Sequence, residues 1–166
     1  MKYTSAEANK LLRRLNEEYE MLLQKEEQSK TFLASLGEDP ESVRPAYDYS
    51  ETQNTIDNLE KQIRNIKHRL NIFNTTTVIP EFNITVDEML VLIPQLNKRK
   101  AKLSDMMSKL PKSREENYAS RNNIIDYRYI NYDLNTVEED YKKVTETLSS
   151  AQTALDKVNS TLTIEI

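Results

Sequence analysis

Ile56-Asp57-Asn58-Leu59-Glu60-Lys61-Gln62-Ile63-Arg64-Asn65-Ile66-Lys67-His68-Arg69-Leu70-Asn71-Ile72-Phe73 is the most regular stretch of this 166-residue chain, and its spacing decides the fold. Ile56, Leu59, Ile63, Ile66, Leu70 and Phe73 follow one another at alternating steps of three and four without a miss. That is a heptad a/d pattern, one narrow apolar seam on an otherwise polar helix. Upstream, Ser50 with Gln53 reads as the helix start, and Glu38 to Tyr49, with Pro40 and Pro45, reads as a connector. Thr4 and Glu7 form a capping box for an earlier helix. Its seam, Ala8, Leu12, Leu15, Tyr19 and Leu22, keeps the same spacing through Glu26 and Ser29 to Leu33 and Leu36. Gly37 is the expected stop, because glycine takes the left-handed C′ conformation without a Cβ penalty. The predicted helix, Thr4 to Leu36, is about 50 Å long at about 1.5 Å per residue, and opens or bends at its polar seam positions, Glu26 and Ser29.

Downstream, Asn74 to Ile79 is β-branched and reads as a short strand ended by Pro80. Thr85 and Glu88 form a second capping box ahead of the seam Met89, Ile93, Leu96, Lys100, Leu103, Met107 and Leu110, with a kink expected at Pro94. Lys112 to Asn123 reads as polar loop and Ile124 to Tyr132 as strand. A last helix starts near Thr136, boxed with Glu139, and carries Val137, Tyr141, Val144, Leu148, Ala151, Leu155 and Val158. Asn159 to Ile166 is another β-branched stretch.

The two halves repeat. Adding 85 carries Tyr47-Asp48 onto Tyr132-Asp133, the seam from Ile56 to Phe73 onto that from Tyr141 to Val158, and Asn74-Thr75-Thr76 onto Asn159-Ser160-Thr161. Adding 81 carries Thr4 and Glu7 onto Thr85 and Glu88, and Leu12 and Leu15-Asn16 onto Ile93 and Leu96-Asn97. The second connector is therefore longer by four residues. The expected fold is a single all-α domain, 1–166: an antiparallel four-helix bundle of two pseudo-symmetric long hairpins, repeats 4–79 and 85–164, with short strand segments at the hairpin ends. The two β-branched tails are expected to pair with each other or between chains.

Composition agrees. Charged residues make up 30% and hydrophobic residues 37% of the chain, too few apolar residues for a sandwich or a parallel sheet. With no cysteine, a disulfide framework, a thiolate metal site and a cysteine nucleophile are impossible, and a cytoplasmic location is expected. Met1 to Glu7 has no hydrophobic signal region, and the longest apolar run, Met89 to Ile93, falls far short of the roughly 20 residues of a membrane span. The net charge of -4 is too small for strong attraction to any partner, so no membrane and no duplex nucleic acid is expected.

Leu70-Asn71-Ile72-Phe73-Asn74-Thr75, Thr85-Val86-Asp87-Glu88-Met89-Leu90, Asp126-Tyr127-Arg128-Tyr129 and Leu155-Asp156-Lys157-Val158-Asn159 resemble a family of bacterial and phage-borne helical proteins sometimes labelled septicolysin-like. The resemblance covers most of the chain and implies a phage or mobile-element origin but no catalytic residues. Its label points to a cytolysin, yet no helix here is strongly basic and amphipathic.

Catalytic motifs are missing. His68, the one histidine, lies in a basic helix face, the Glu-x-x-His motif of di-iron bundles is absent, and one glycine cannot build a phosphate loop. No metal, cofactor or enzymatic activity is expected. Two basic clusters, Lys61 to Arg69 and Lys98 to Lys102, read as solvated faces or as anion patches. Tyrosines gather in the connectors with arginines among them: Arg44 and Tyr47, then Arg121, Tyr127, Arg128, Tyr129 and Tyr132. With Arg64 and Lys67 they compose a candidate pocket for a small anionic, nucleotide-like ligand. Packing or subunit contact explains the tyrosines equally. The leading expectation is a non-enzymatic protein acting through self-association and binding, as a homo-oligomer. The alternative is an oligomeric protein that sequesters the anionic ligand.

Overall fold

Thr4 caps helix α1 (Ser5–Ser29), and its hydroxyl accepts from the Glu7 N–H at 3.2 Å while the Glu7 carboxylate accepts from the Thr4 N–H at 2.8 Å. Thr85 and Glu88 repeat this reciprocal pair at the start of α4 (Val86–Met107), at 3.2 and 2.7 Å. The computed structural model of the chain describes residues 1–115 and 126–166. The fold is all-α in the main, a helical bundle with small strand segments. Its residues form two compact units, Met1–Thr77 with Lys157–Ile166, and Val78–Asp156.

In the first unit α1 packs on α3 (Tyr49–Thr76). They run antiparallel: Tyr19 meets Glu60, and further along α1 Glu26 meets Gln53. The seam holds: Ile56, Leu59, Ile66, Leu70 and Phe73 are buried and Ile63 half-buried, facing the α1 seam residues Ala8 and Leu15, also buried. In the second unit Leu103 of α4 is buried with Val137 and Val144 of α5 (Leu134–Thr161), with Leu96, Met106, Tyr132 and Tyr141 packed around them. α4 passes through Pro94, which is exposed. The seam's end is displaced by one residue: Met106 packs, whereas Met107 and Leu110 are exposed.

The repeats share fine structure. The Asn16 amide donates to the Leu12 carbonyl at 2.7 Å, and Asn97 donates to Ile93 at 3.1 Å. The Thr76 hydroxyl donates to the Ile72 carbonyl at 2.7 Å, and Thr161 to Lys157 at 2.6 Å. These hydroxyls bond within the last helical turn, so Asn74 to Thr76 and Asn159 to Thr161 are helix and not the strand their β-branched composition suggests. The helix starts also shift. Asp48 caps α3 by accepting from the Glu51 N–H at 2.9 Å, and Asp133 accepts from the Thr136 N–H at 2.8 Å. Ser50 and Thr136 lie inside the first turn, because an aspartate two residues before Ser50 and three before Thr136 captures the free N–H groups first.

The tails pair differently from expectation. β2 (Val78–Ile79) pairs antiparallel with β3 (Ile84–Thr85), and β6 (Thr163–Glu165) pairs antiparallel with β1 (Lys2–Thr4). Each tail thus joins the head strand of a repeat and neither joins the other tail. Registers agree: Val78 faces Thr85 as Thr163 faces Thr4, and Ile79 faces Ile84 as Ile164 faces Tyr3. Ile79 and Ile164 are the buried residues of the two ribbons. The turn between β2 and β3 closes through Asn83, whose φ of 53° is the left-handed conformation that asparagine tolerates.

α1 ends at Ser29, short of Leu36. Past Leu22 its seam offers Glu26 and Ser29, and Leu33 and Leu36 are exposed. Without a partner to bury against, helix propagation gains too little. Gly37 does adopt a φ of +88°, but in a turn ahead of the short helix α2 (Pro40–Val43), which Asp39 caps.

Thr4→Ala and Thr85→Ala should each lower stability by about 0.5–2 kcal/mol, and by similar amounts, in urea denaturation. Backbone and hydroxyl bonds from the cap threonine hold the Glu7 and Glu88 carboxyls below their ordinary range. Their contribution is therefore complete at neutral pH and should fade only as pH falls through those lowered values.

Candidate functional site

Glu26 occupies a seam position where an apolar residue is expected, and the first connector folds back to satisfy it. One oxygen, Oε1, accepts from the Tyr47 hydroxyl and from the Gln53 amide, both at 2.7 Å. Tyr47 precedes the Asp48 cap, so the start of α3 aims its ring at the end of α1. The hydrogen bond to the Glu26 carboxylate, followed by desolvation and that negative charge, pushes the Tyr47 hydroxyl up to about 12. Around these groups lies a cleft of about 220 Å³ lined also by Lys25, Asp48, Glu51 and Thr55. Three carboxylates against one lysine make it unsuited to an anion.

Arg64 and Lys67 line a second groove, of about 390 Å³, on the α1–α3 face. They share it with Glu60, which accepts from the Tyr19 hydroxyl at 3.1 Å. Arg44 reaches neither space: both its Nε and Nη2 donate to Glu41, at 2.8 and 2.6 Å, and its guanidinium lies 5.0 Å from the Phe32 ring centroid. Tyr47 belongs to the cleft, and Arg64 and Lys67 to the groove about four turns along α3.

In the second unit Tyr132 faces inward, and its hydroxyl donates to the Met106 carbonyl at 2.7 Å. It is the repeat's counterpart of Tyr47, with a backbone carbonyl replacing the carboxylate. Tyr127, Arg128 and Tyr129 form β5 (Tyr127–Tyr129), which pairs antiparallel with β4 (Lys112–Arg114). The polar Lys112 to Asn123 stretch thus begins as strand, not loop. Lys112 lies opposite Tyr129, Ser113 opposite Arg128 and Arg114 opposite Tyr127. Opposed residues share a face and successive residues alternate, so Lys112, Arg114, Tyr127 and Tyr129 form one face. The Lys112 ammonium sits 4.2 Å from the Tyr127 centroid and 5.5 Å from that of Tyr129. Such contacts are favourable because the ring face is electron-rich. Both rings stay exposed, at 47% and 61%. Arg128, on the other face, is ion-paired with Glu115. Arg121 lies outside the described residues.

Within the first unit the candidate residues therefore divide between an acidic cleft and a mixed groove, and within the second between an inward tyrosine and an exposed ribbon. Sequence reading missed Lys112 as a partner of the two tyrosines. The available signal was the alternation Lys112-Ser113-Arg114, which matches Tyr127-Arg128-Tyr129 in period but holds no apolar residue to mark a strand. Among the described residues no group of three His, Cys, Asp or Glu side chains is placed to hold a metal, and no helix is long and apolar enough to cross a membrane.

No protein-family model and no curated protein matches the chain. Among solved structures, its fold is similar to the crystal structure of a functionally unknown conserved protein from Corynebacterium diphtheriae. The TM-score is 0.65 at 17% sequence identity, covering 99% of this chain and 100% of the other. The likeness is one of fold.

Tyr47→Phe provides a test of the Glu26 cluster. A hydroxyl whose folded value lies above its unfolded value stabilises fully below the ordinary tyrosine range, near 10, and loses that contribution as pH rises through about 12. The wild-type protein should exceed Tyr47→Phe in urea midpoint at pH 8, and the gap should close as pH approaches 12.

Proposed function

We propose that this is a non-enzymatic helical protein that acts through self-association and binding, with the segment Thr31 to Leu36 as its contact between copies. The carrying observation is the exposure of Leu33 and Leu36, at 95% and 108%, on the register that continues the α1 seam. Burying a leucine side chain is worth roughly 1.5–3 kcal/mol, and this chain leaves both in water. A second copy offers the same pair, so a two-fold contact buries four leucines with one symmetric surface. The area is small beside the roughly 800 Å² per partner of a standard interface, so the association is weak and concentration-dependent.

The tails do not support this role, because each is already paired within the chain. Sequestration of a small anion has weaker support in the first unit, where Arg44 is paired with Glu41 and Arg64 and Lys67 share their groove with Glu60.

Light scattering on the eluting peak should show the mass rising from monomer toward dimer between micromolar and millimolar protein. Leu33→Ser combined with Leu36→Ser should keep the monomer at every concentration with unchanged thermal stability, since both side chains are exposed. A wild-type monomer at millimolar concentration, or a variant that associates equally well, sinks the proposal.

A further inference from the structure

We infer that the β4–β5 ribbon, continued by the basic second half of α4, is a binding surface for single-stranded nucleic acid. This does not depend on the self-association reading.

Two independent observations carry it. The first is the ribbon face itself. Tyr127 and Tyr129 stand two residues apart on one strand, roughly 6.7 Å at the ordinary strand rise, with both rings exposed. Lys112 and Arg114 flank them on the same face. Single strands are held by flat rings on which bases stack, beside cations that follow the phosphates. A duplex hides its base faces in its own stack and offers the rings nothing.

The second observation is charge. Residues 98–114 carry seven Lys or Arg side chains against one acid, Asp105, a local +6 in a chain whose net charge is -4. On α4, Lys98, Lys102 and Asp105 recur at helical spacing and lie on one exposed face, and the exposed Lys109 follows just past the helix end. Lys109 is bonded to Asp105 at 2.9 Å, so Lys98 and Lys102 carry most of that stripe. Only Leu110 and Pro111 separate Lys109 from Lys112, three steps or at most about 11 Å of chain, so the stripe reaches the ribbon. The low overall charge is thus the sum of a basic stretch and an acidic remainder, the kind of asymmetry that accompanies nucleic-acid contact. An anionic lipid surface would use the same cations, but it rewards aliphatic or tryptophan side chains between them, and this face holds two tyrosines.

The test is fluorescence anisotropy with a fluorescein-labelled thymidine oligonucleotide, the equivalent uridine oligonucleotide, a duplex of the same length, and mixed phosphatidylserine–phosphatidylcholine vesicles. Saturable binding of a single strand, weakening by about 0.7 log units per tenfold salt for each phosphate neutralised, is expected. Tyr127→Leu with Tyr129→Leu should weaken it roughly 5- to 150-fold per stacked ring while leaving the salt slope unchanged. Lys98→Gln with Lys102→Gln should reduce the slope and leave the tyrosine effect in place. The chain has no tryptophan, so its tyrosine emission is directly visible and base stacking should quench it in the unmodified protein. That readout decides the matter if the tyrosine variant fails to fold. Absence of saturable binding, equal affinity for the duplex, an unchanged tyrosine variant, or binding to vesicles without binding to either oligonucleotide each overturns the inference.

Discussion

A seam of one apolar residue per turn holds these helices together, and it does not by itself fix their register. Sliding α3 along α1 by seven residues would return apolar side chains to the same contacts, because Ile56, Ile63 and Leu70, like Leu59, Ile66 and Phe73, repeat at that interval. The ends must supply what the seam lacks. In the first unit the β1–β6 ribbon lies against α1 and α3, and Ile164 is buried there. Toward the other end of that hairpin, Glu26 gathers Tyr47 and Gln53. A seven-residue slip breaks both sets at once, so a pair of local polar and strand contacts selects one alignment out of several with similar burial.

The same logic explains which features could be read in advance. Seams and capping boxes are local patterns, and Thr4 with Glu7 or Ile56 through Phe73 carries its meaning within a few residues. Strand pairing is not local. Lys2 to Thr4 is three residues with one aromatic, and its partner β6 lies at the far end of the chain. The aspartate caps lie in a repeated Tyr-Asp pair, but Ser50 with Gln53 and Thr136 with Glu139 carry the Ser/Thr-x-x-Glu/Gln box and compete with them as helix starts. Periodicity carries α1 past its end at Ser29, because it records where an apolar residue would face and is silent on whether anything lies there to cover it. Leu33 and Leu36 keep the period and have no cover. At the candidate site, the tyrosines were legible and their separation into inward and outward sets was not. Tyr47 and Tyr132 each precede an aspartate cap and turn in, whereas Tyr127 and Tyr129 sit on a strand and turn out.

The repeat also isolates what is particular to each connector. Position 26 corresponds to 107 under the shift that aligns the first helices, so the carboxylate that Tyr47 binds has no counterpart, and Tyr132 takes the neighbouring Met106 carbonyl instead. A backbone carbonyl at a helix end needs a donor in any case, which makes the Tyr132 contact an ordinary closure. A carboxylate placed on an apolar seam is tolerated when it is hydrogen-bonded, and Tyr47 and Gln53 supply the donors. The first connector spends its polar groups on holding its own end together.

The second connector has no such debt, and this difference locates its surplus chemistry. With Tyr132 closing the helix end alone, Tyr127 and Tyr129 are left to the ribbon face with Lys112 across both rings. An ammonium above a ring stabilises the pair only modestly when both are exposed, about 0.5–1 kcal/mol, so packing gives little reason to present two rings to water. Folding alone is equally served by the first connector, which builds its end without any strand. What the ribbon adds is a flat aromatic face with cations beside it, following a helix whose second half is basic while the chain as a whole is acidic. Features that the stable core does not need, and that the sister repeat does without, are where binding chemistry is best sought.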